Sequence, residues 1–395
     1  MDGRYNFVDR WLREYTLSKD INDSRVSVGR LVVKAGTNVL TGGTDRLDLD
    51  IMTSIVNQIS ELHKDGHQVL LVTSGAIAAG MQVLSDLNLA ADLPFRQASA
   101  AVGQSRLMNT YEHLFGAQGI TVAQALLSRV DIQDREGYLN VRNTLLALLS
   151  LKVIPIINEN DVVAVEEIGV GVFGDNDNLS ALVSNLVDAD LLILLSDIGG
   201  LYTADPHVDA NASLISLLDH IDEEIESFAT VSHSSRGTGG MRAKLEAVKL
   251  ANASGTEVVI ANGLQDGTIL RLIGGESVGT RFSASSNKIE SRKRWMLSGI
   301  SHNNYIVVDR GAAYALRHDK RSLLPAGISG VSGEFFRGDI VLILDPDGRE
   351  VACGIVGYRS DEISLIKGLQ SESIYNTLGH KYGEEIVHKD NLIVL

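Results

Sequence analysis

The residues best suited to chemistry crowd the start of a predicted helix, in the stretch Phe173–Ser180. This stretch holds two aspartates and two asparagines, and the apolar residues after it recur at helical spacing, which predicts a helix over Asn178–Val187. Backbone N–H groups point outward at a helix start and favour anions. The stretch could therefore hold a metal, an ammonium group or a phosphate-bearing substrate. Helix capping is an equally good explanation when the stretch is taken alone, because Asp and Asn are common N-caps.

Two lysines are placed where they could contact phosphate groups. Lys34 ends the first predicted strand and precedes a turn at Ala35–Asn38, although a surface lysine beside a turn would look the same. Lys244 falls in the first turns of a helix that follows the glycine-rich stretch Gly237–Gly240. It lies off the apolar stripe, so we expect an exposed side chain whose loss leaves no cavity. The helix dipole disfavours a lysine there, and an anionic ligand would relieve that cost.

Three more loops each follow a predicted strand. Thr73–Gly80 is rich in small residues, which let a ligand approach the backbone or a helix pack closely; it is neither a Walker A loop nor a dinucleotide fingerprint. Asn158–Asp161 suits a polar substrate, particularly an amino group, with an Asx-rich turn as the alternative. Ser196–Thr203 could hold a nucleotide or could simply turn the chain. Together with the two lysines and two carboxylates, these loops favour phosphoryl transfer.

The elements that must position these residues alternate between strands and helices. Apolar runs predict strands at Arg30–Lys34, Gln68–Thr73, Ile120–Gln124, Val153–Ile157, Leu191–Leu195 and Glu257–Ala261. Helical patterns lie between them, at Leu49–Lys64, Phe95–Phe115, Tyr138–Leu149, Asn178–Val187 and Met241–Ala253. This alternation predicts an α/β fold with a mostly parallel sheet sandwiched between helices. Ligands of such sheets bind at the carboxyl ends of the strands, where these loops gather.

The pattern changes near residue 283, where small polar residues and the basic run Arg292–Arg294 predict a linker. We divide the chain into an N-terminal extension (1–28), an α/β domain (29–282), a linker (283–298) and a small β-rich domain (299–395). The last domain is predicted from short β-like runs at Tyr305–Val308, Ile340–Leu344, Val351–Gly357 and Ile363–Ile366.

The composition narrows the class of protein. A chain of 395 residues with a net charge of −15 is unsuited to a role dominated by nucleic-acid binding, which needs basic surface. The single cysteine, Cys353, excludes an internal disulfide and fits a reducing cytoplasm. The sequence has neither an apolar run long enough to cross a membrane nor a secretory signal, so we expect a cytoplasmic protein with no membrane contact.

At these residues the chain resembles the amino-acid kinase family, and within it the glutamate 5-kinases. The resemblance rests on Lys34–Thr37, Thr73–Gly80, Ala101–Gln104, Ile157–Asp161, Gly174–Asn178 and Gly237–Met241, and it covers about residues 29–390. The C-terminal part resembles a PUA domain, through Leu323–Ile328 and Phe336–Asp339. A kinase followed by a PUA domain is typical of the bacterial glutamate 5-kinases.

The resemblance implies phosphorylation of the γ-carboxylate of L-glutamate by ATP with Mg²⁺, as the first step of proline biosynthesis. It implies catalytic roles for Lys34, Asp177 and Lys244, in which both lysines bind the ATP phosphates and Asp177 holds them in place. By the same resemblance, glutamate is bound by Ser74, Asp161 and Asn176, with Asn158 nearby. Nucleotide is bound by Ser196, Asp197 and the loop of Thr238, Gly239, Gly240, Met241 and Lys244. No residue of the chain is expected to be a metal ligand.

Further expectations concern regulation and partners. The family implies inhibition by proline, with functional coupling to glutamyl-phosphate reductase, and we expect a homo-oligomer. Aspartate kinase, acetylglutamate kinase and uridylate kinase share the fold and are the nearest alternatives, as is a regulatory homologue without activity. PUA domains often bind RNA, which is a further alternative here. From residue 300 onward, however, 10 Lys and Arg stand against 13 Asp and Glu, a net charge of −3 that disfavours phosphate contacts.

Overall fold

The computed structural model describes residues 29–84, 92–163, 176–206, 208–209, 211–231, 240–284, 296 and 303–395. Several predictions fall outside these ranges. They concern the extension 1–28, most of the linker and, among the site residues, Thr238 and Gly239. The predicted domain boundaries stay predictions.

An eight-stranded sheet forms the first domain. Its strands in chain order are β1 (Arg30–Ala35), β2 (Gln68–Thr73), β3 (Val122–Leu127), β4 (Ile154–Glu159), β5 (Leu191–Ser196), β6 (Leu217–Leu218), β7 (Glu257–Asn262) and β8 (Thr280–Phe282). They lie in the order β3-β4-β2-β1-β5-β7-β8-β6, and every pairing is parallel except that of β7 with β8. The predicted α/β fold with a mostly parallel sheet is thus confirmed.

Ten helices in the described part of this domain flank the sheet. They are α1 (Thr37–Leu40), α2 (Leu49–Lys64), α3 (Ala76–Leu84), α4 (Leu93–Gly116), α5 (Arg129–Gln133), α6 (Arg135–Ser150), α7 (Asn176–Leu186), α8 (Glu223–Val231), α9 (Met241–Ala253) and α10 (Thr268–Ile273). Alternate residues of a strand point to opposite faces of the sheet. Leu31 and Val33 therefore join one core with residues of α2 and α4, while Val32 joins the other with residues of α6, α7 and α9.

Strands β1, β3, β4, β5 and β7 all extend past the apolar runs that predicted them. β4 continues through Asn158 and Glu159, which pair with Leu126 and Leu127 of β3, and β5 continues through Ser196. The reason is that ladder hydrogen bonds join backbone groups and do not depend on side-chain polarity. Asn158 is thus a buried strand residue and not part of a loop.

The second domain is built on a five-stranded sheet with strand order β10-β9-β11-β12-β13. Its strands are β9 (Tyr305–Val308), β10 (Ile328–Ser332), β11 (Ile340–Leu344), β12 (Glu350–Ile355) and β13 (Leu392–Val394). Three helices pack with them, namely α11 (Arg310–His318), α12 (Ser360–Ile366) and α13 (Ile374–Leu378). The domain is β-rich, as predicted, and has its own apolar core.

One predicted strand is wrong, because Ile363–Ile366 belongs to helix α12. Ile363 and Ile366 are spaced i, i+3, and both are buried on one face of that helix. The Glu362 carboxylate accepts a hydrogen bond at 2.9 Å from the backbone N–H of Arg359, which caps the helix start. A run of four residues is too short for apolar content alone to distinguish a strand from a helix.

In the described ranges, no helix has both the length and the apolar character needed to span a membrane.

Glycines bring α3 and α4 into close contact. A Cβ atom on Gly80 would lie 1.8 Å from the carbonyl oxygen of Ser99, and one on Gly103 would lie 1.8 Å from that of Ala76. The small residues at Gly80 and Gly103 therefore serve helix–helix packing, which sets the position of the loop at Ser74 in front of α3.

We predict that Gly103→Ala destabilises the protein by about 2–3 kcal/mol, because the added methyl group must push α3 away from α4. Gly116→Ala, in the same helix, is the control: no atom lies within 4 Å of the added Cβ, and replacing a helical glycine should stabilise by about 0.5–1 kcal/mol. Denaturation midpoints of both variants measure the difference. Equal midpoints for the two variants would contradict the packing role of Gly103.

Candidate active site

Three charged side chains meet in the interior of the first domain. Lys34 lies on β1, Asp177 is the second residue of α7, and Lys244 lies in the first turn of α9. The Lys34 ammonium lies 2.6 Å from Asp177 Oδ1, and the Lys244 ammonium lies 3.0 Å from Asp177 Oδ2. We call these three residues the charged centre. Two predicted ATP-binding lysines and the predicted aspartate between them are therefore in direct contact.

All three side chains of the charged centre are buried, so water screens their charges only weakly. Lys34 is 2% exposed, Asp177 is 0% exposed and Lys244 is 8% exposed. The expectation that Lys244 is an exposed helix residue is wrong, since α7 packs against α9 and covers the flank beside the apolar stripe. Two ammonium groups and one carboxylate together carry one net positive charge. Opposite charge stabilises buried ammonium groups, and an anionic ligand such as phosphate is one group that could contribute it.

A second cluster consists of neutral polar groups around Asn176, the first residue of α7. The Asn176 amide nitrogen lies 2.5 Å from the carbonyl oxygen of Thr73, 2.9 Å from Ser74 Oγ and 2.8 Å from Asn158 Oδ1. Ser74, Asn158 and Asn176, all predicted substrate residues, are thus brought together. Because Asn176 and Asp177 are neighbours in the chain, this polar cluster adjoins the charged centre.

Gln104 of α4 belongs to the same cluster and was given no role from the sequence. Its Oε1 accepts a hydrogen bond at 2.8 Å from the Asn158 amide nitrogen, and its buried Nε2 has no hydrogen-bond partner in the part of the chain that the structure describes. An unsatisfied buried donor is costly and fits a ligand acceptor such as a carboxylate oxygen. The sequence signal was present, since Gln104 ends the motif Ala101–Gln104, but nothing local showed where it lay.

Asp161 follows β4 in a turn in which the Val163 N–H donates to the Asn160 carbonyl. Asp161, a predicted substrate residue, therefore also lies in a turn of the kind that was the alternative interpretation of this stretch. Burial raises the pKa of the Asp161 carboxyl to about 6, and the positive charge of Arg96 opposes that rise. Near neutral pH the carboxylate is therefore the major form but is poorly solvated. A substrate ammonium group beside it would lower that cost.

Among the described nucleotide residues predicted from the sequence, Ser196 and Asp197 lie at the carboxyl end of β5, and Gly240, Met241 and Lys244 lie at the start of α9. Ser196 is buried and Asp197 is exposed, and Asp197 Oδ2 accepts a hydrogen bond at 3.2 Å from the side chain of Asn38, which lies in α1 after β1. Gly240 is the N-cap of α9, where no side-chain cap hydrogen bond is made. The Met241 side chain packs into the core, which leaves its backbone as the part suited to contact a ligand.

A metal site built only from the protein does not fit the described residues. They include no group of three or more His, Cys, Asp or Glu side chains that could hold a metal ion. The carboxylate of Asp177, nearest the lysines, already contacts two ammonium groups. Mg²⁺ in nucleotide sites is usually bound by substrate phosphates and water with one or two carboxylates, so its ligands need not form such a group.

Comparisons with known proteins decide the family. Residues 29–262 match the amino acid kinase family, and residues 304–378 match the PUA domain. A glutamate 5-kinase of Dehalococcoides mccartyi is 50% identical over 93% of this chain and 98% of its own length. That of Herpetosiphon aurantiacus is 49% identical over 92% and 98%. The chain belongs to the amino acid kinase family. It groups there with the glutamate 5-kinases, as the resemblance implied.

A further curated relative agrees with this assignment. The glutamate 5-kinase of Shewanella oneidensis is 47% identical over 95% of this chain and all of its own length. Among solved structures, the UMP kinase of Bacillus anthracis has a TM-score of 0.46 at 16% identity, over 66% of this chain and 97% of that one. That likeness is too distant to bear on the site. The chain is accordingly a kinase with a C-terminal PUA domain.

We predict that Lys244→Ala lowers the kcat of this kinase on the order of 10²–10³-fold, because the change removes one group that we expect to stabilise the transferring phosphoryl. The same change should also cost about 1–3 kcal/mol of stability, since it removes a buried partner of Asp177. Steady-state rates and thermal melts measured on one preparation separate the two effects.

Arg242→Ala is the matched control, two residues earlier on α9. Its side chain is exposed and lies 3.5 Å from Glu246, so its loss should change stability by less than about 0.5 kcal/mol and leave the rate nearly unchanged. A Lys244 variant with near-native kcat, or an equal fall in both variants, would show that Lys244 is not catalytic.

Proposed function

We propose that this kinase transfers the γ-phosphoryl group of ATP to the γ-carboxylate of L-glutamate, giving L-glutamyl 5-phosphate, the first step of proline biosynthesis. The observation that carries the proposal is the charged centre of Lys34, Asp177 and Lys244 beside the polar cluster around Asn176. One feature suits phosphate groups and the other suits an amino acid. Glutamate 5-kinases at 50% identity support the choice of substrate.

In the proposed reaction, an oxygen of the γ-carboxylate attacks the γ-phosphorus while the bond to the β–γ bridging oxygen breaks, and ADP leaves with the electron pair. The side-chain carboxyl of glutamate has a pKa near 4.3, so the nucleophile is ionised at neutral pH and no general base is needed. Lys34 and Lys244 offset the negative charge of the phosphoryl oxygens. Asp177 holds the two ammonium groups at a fixed spacing without taking a proton.

The polar cluster supplies the contacts proposed for glutamate. Asp161 pairs with the α-ammonium group, and Ser74, Asn158 and Asn176 offer hydroxyl and amide groups to the carboxylates. Gln104 adds its Nε2 donor. Proline has the same ammonium and carboxylate groups, so we propose that it inhibits by occupying these contacts in competition with glutamate. Mg²⁺ would arrive with the ATP phosphates.

The product is an acyl phosphate, which water hydrolyses readily. We therefore propose functional coupling to the glutamyl-phosphate reductase that consumes it. We also propose that the kinase acts in the cytoplasm and that it is a homo-oligomer. Sedimentation of the purified kinase with and without the reductase would measure the oligomer and any complex. A monomer that gains no mass with the reductase would reject both the oligomer and a physical complex.

We expect ADP release that depends on glutamate and Mg²⁺, with a product that hydroxylamine traps as a hydroxamate. Aspartate, acetylglutamate and uridylate, compared side by side, should give little turnover, as expected of a relative of the glutamate 5-kinases. Adding proline should raise the KM for glutamate and leave kcat unchanged. Equal turnover with aspartate would contradict the substrate assignment. Inhibition that persists at saturating glutamate would show that proline binds at a separate site.

We predict that kcat/KM for glutamate falls as pH decreases through about 6, because Asp161 becomes protonated and can no longer pair with the ammonium group. The raised pKa also means that ionised Asp161 disfavours the folded state, a cost that develops as pH rises from about 4 to 6 and persists above it. Asp161→Asn should therefore bind glutamate weakly at every pH and yet melt no lower than wild type at pH 7.5. A variant that keeps the wild-type pH profile would exclude Asp161 as the titrating group.

A further inference from the structure

The largest fully buried side chain in the described residues is that of Arg142, in the middle of α6. A guanidinium group stays charged at all relevant pH values and carries five N–H donors in a rigid plane. Burying it is costly unless those donors are satisfied. Its partners therefore show which parts of the molecule the arginine holds together.

Two of these partners belong to the end of α7. Nη1 donates to the carbonyl oxygen of Leu186, the last residue of the helix, and Nη2 lies 2.7 Å from the Asp188 carboxylate. A cation at this end complements the partial negative charge of the helix terminus. The carbonyl groups of the last turn have no partner within the helix, so the guanidinium also satisfies one of them.

The other partners belong to the second domain. Nε donates to Asn391 Oδ1 at 2.7 Å, and Nη2 donates to the carbonyl oxygen of Asp390 at 2.7 Å. Asn391 is itself buried and lies directly before β13, which pairs with β12 in the second sheet. A single planar group thus ties the C-terminal segment of the second domain to the end of α7.

The opposite end of α7 forms the active site. Asn176 and Asp177 begin the helix, and Leu186 ends it, so the two ends are about 15 Å apart at 1.5 Å per residue. Eight of its eleven residues are buried, so the helix is held by packing along most of its length. If it moves as a body, a small shift at Leu186 moves the Asp177 carboxylate relative to Lys34 and Lys244.

We propose that Arg142 is a positioning residue for catalysis: it transmits the docking of the PUA domain, through α7, to the spacing of the charged centre. This proposal rests on the proposed function in one respect, because the effect on kcat is measured with glutamate as the substrate. It assigns the second domain a task in the reaction without any contact between that domain and the substrates.

The test uses the full-length chain with Arg142→Met and Asn391→Ala. Arg142→Met should lower kcat on the order of tenfold. A 1 Å misplacement of a catalytic group costs roughly 100-fold, and we expect the shift of Asp177 to be smaller than that. Asn391→Ala, which lies outside the kinase domain, should lower kcat in the same direction by a smaller factor. In the double variant the second change should have little further effect, because both act through one contact. Arg142→Lys should recover part of the rate.

Arg135→Met is the matched control. Arg135 lies on the same helix and forms an ion pair with Asp339 of the second domain, and within the described ranges its side chain makes no ion pair or hydrogen bond with α7. Its loss loosens the same interface without touching the proposed path, so kcat should stay within twofold of wild type. Hydrogen exchange of the backbone amides of α7 supplies a readout without substrate: it should speed up in Arg142→Met and Asn391→Ala but not in Arg135→Met.

The outcomes separate the two proposals. If the wild-type chain does not turn over glutamate, the proposed function fails, and hydrogen exchange still tests the path through α7. If Arg142→Met does not fold, Asn391→Ala carries the test alone. The inference is overturned if Asn391→Ala has wild-type kcat and wild-type exchange in α7, or if Arg135→Met reproduces both effects.

Discussion

The contact of one buried carboxylate with two buried ammonium groups constrains the rest of this structure. Lys34 and Lys244 repel each other, and Asp177 allows them to lie together away from water. That arrangement requires β1, α7 and α9 to converge on one point. The strand order provides it, since β1 lies at the centre of the sheet between β2 and β5, with α7 and α9 packed together on one face.

Much of the fold could be predicted because apolar side chains report burial directly. Leu49–Lys64, Gln68–Thr73 and Met241–Ala253 begin and end where their patterns indicated. The misses share a cause, namely that apolar content says little about backbone pairing or about short segments. Hydrogen bonds to β3 carry β4 past its apolar run, and helix capping turns Ile363–Ile366 into part of a helix.

Only the parts of the site that depend on residues close together in the sequence could be predicted. The position of polar residues after parallel strands showed that Ser74, Asn158 and Lys34 would gather at one edge. Periodicity placed Lys244 outside the face that contacts the sheet, but it gave no information about a neighbouring helix covering the flank. Gln104 and Arg142 depend on partners 54 and up to 249 residues away, which no local pattern reveals.

Charge on the whole molecule and charge in the site have opposite signs. The chain carries a formal charge of −15, whereas the charged centre holds one net positive charge. At ranges beyond the Debye length of about 8 Å in physiological salt, the protein therefore gives little attraction to ATP or glutamate. Recognition must come from short contacts, where a buried ammonium group is far less screened than a surface one. A site without long-range steering depends on the placement of a few groups, and this is the physical reason for expecting the proposed role of α7 in positioning Asp177.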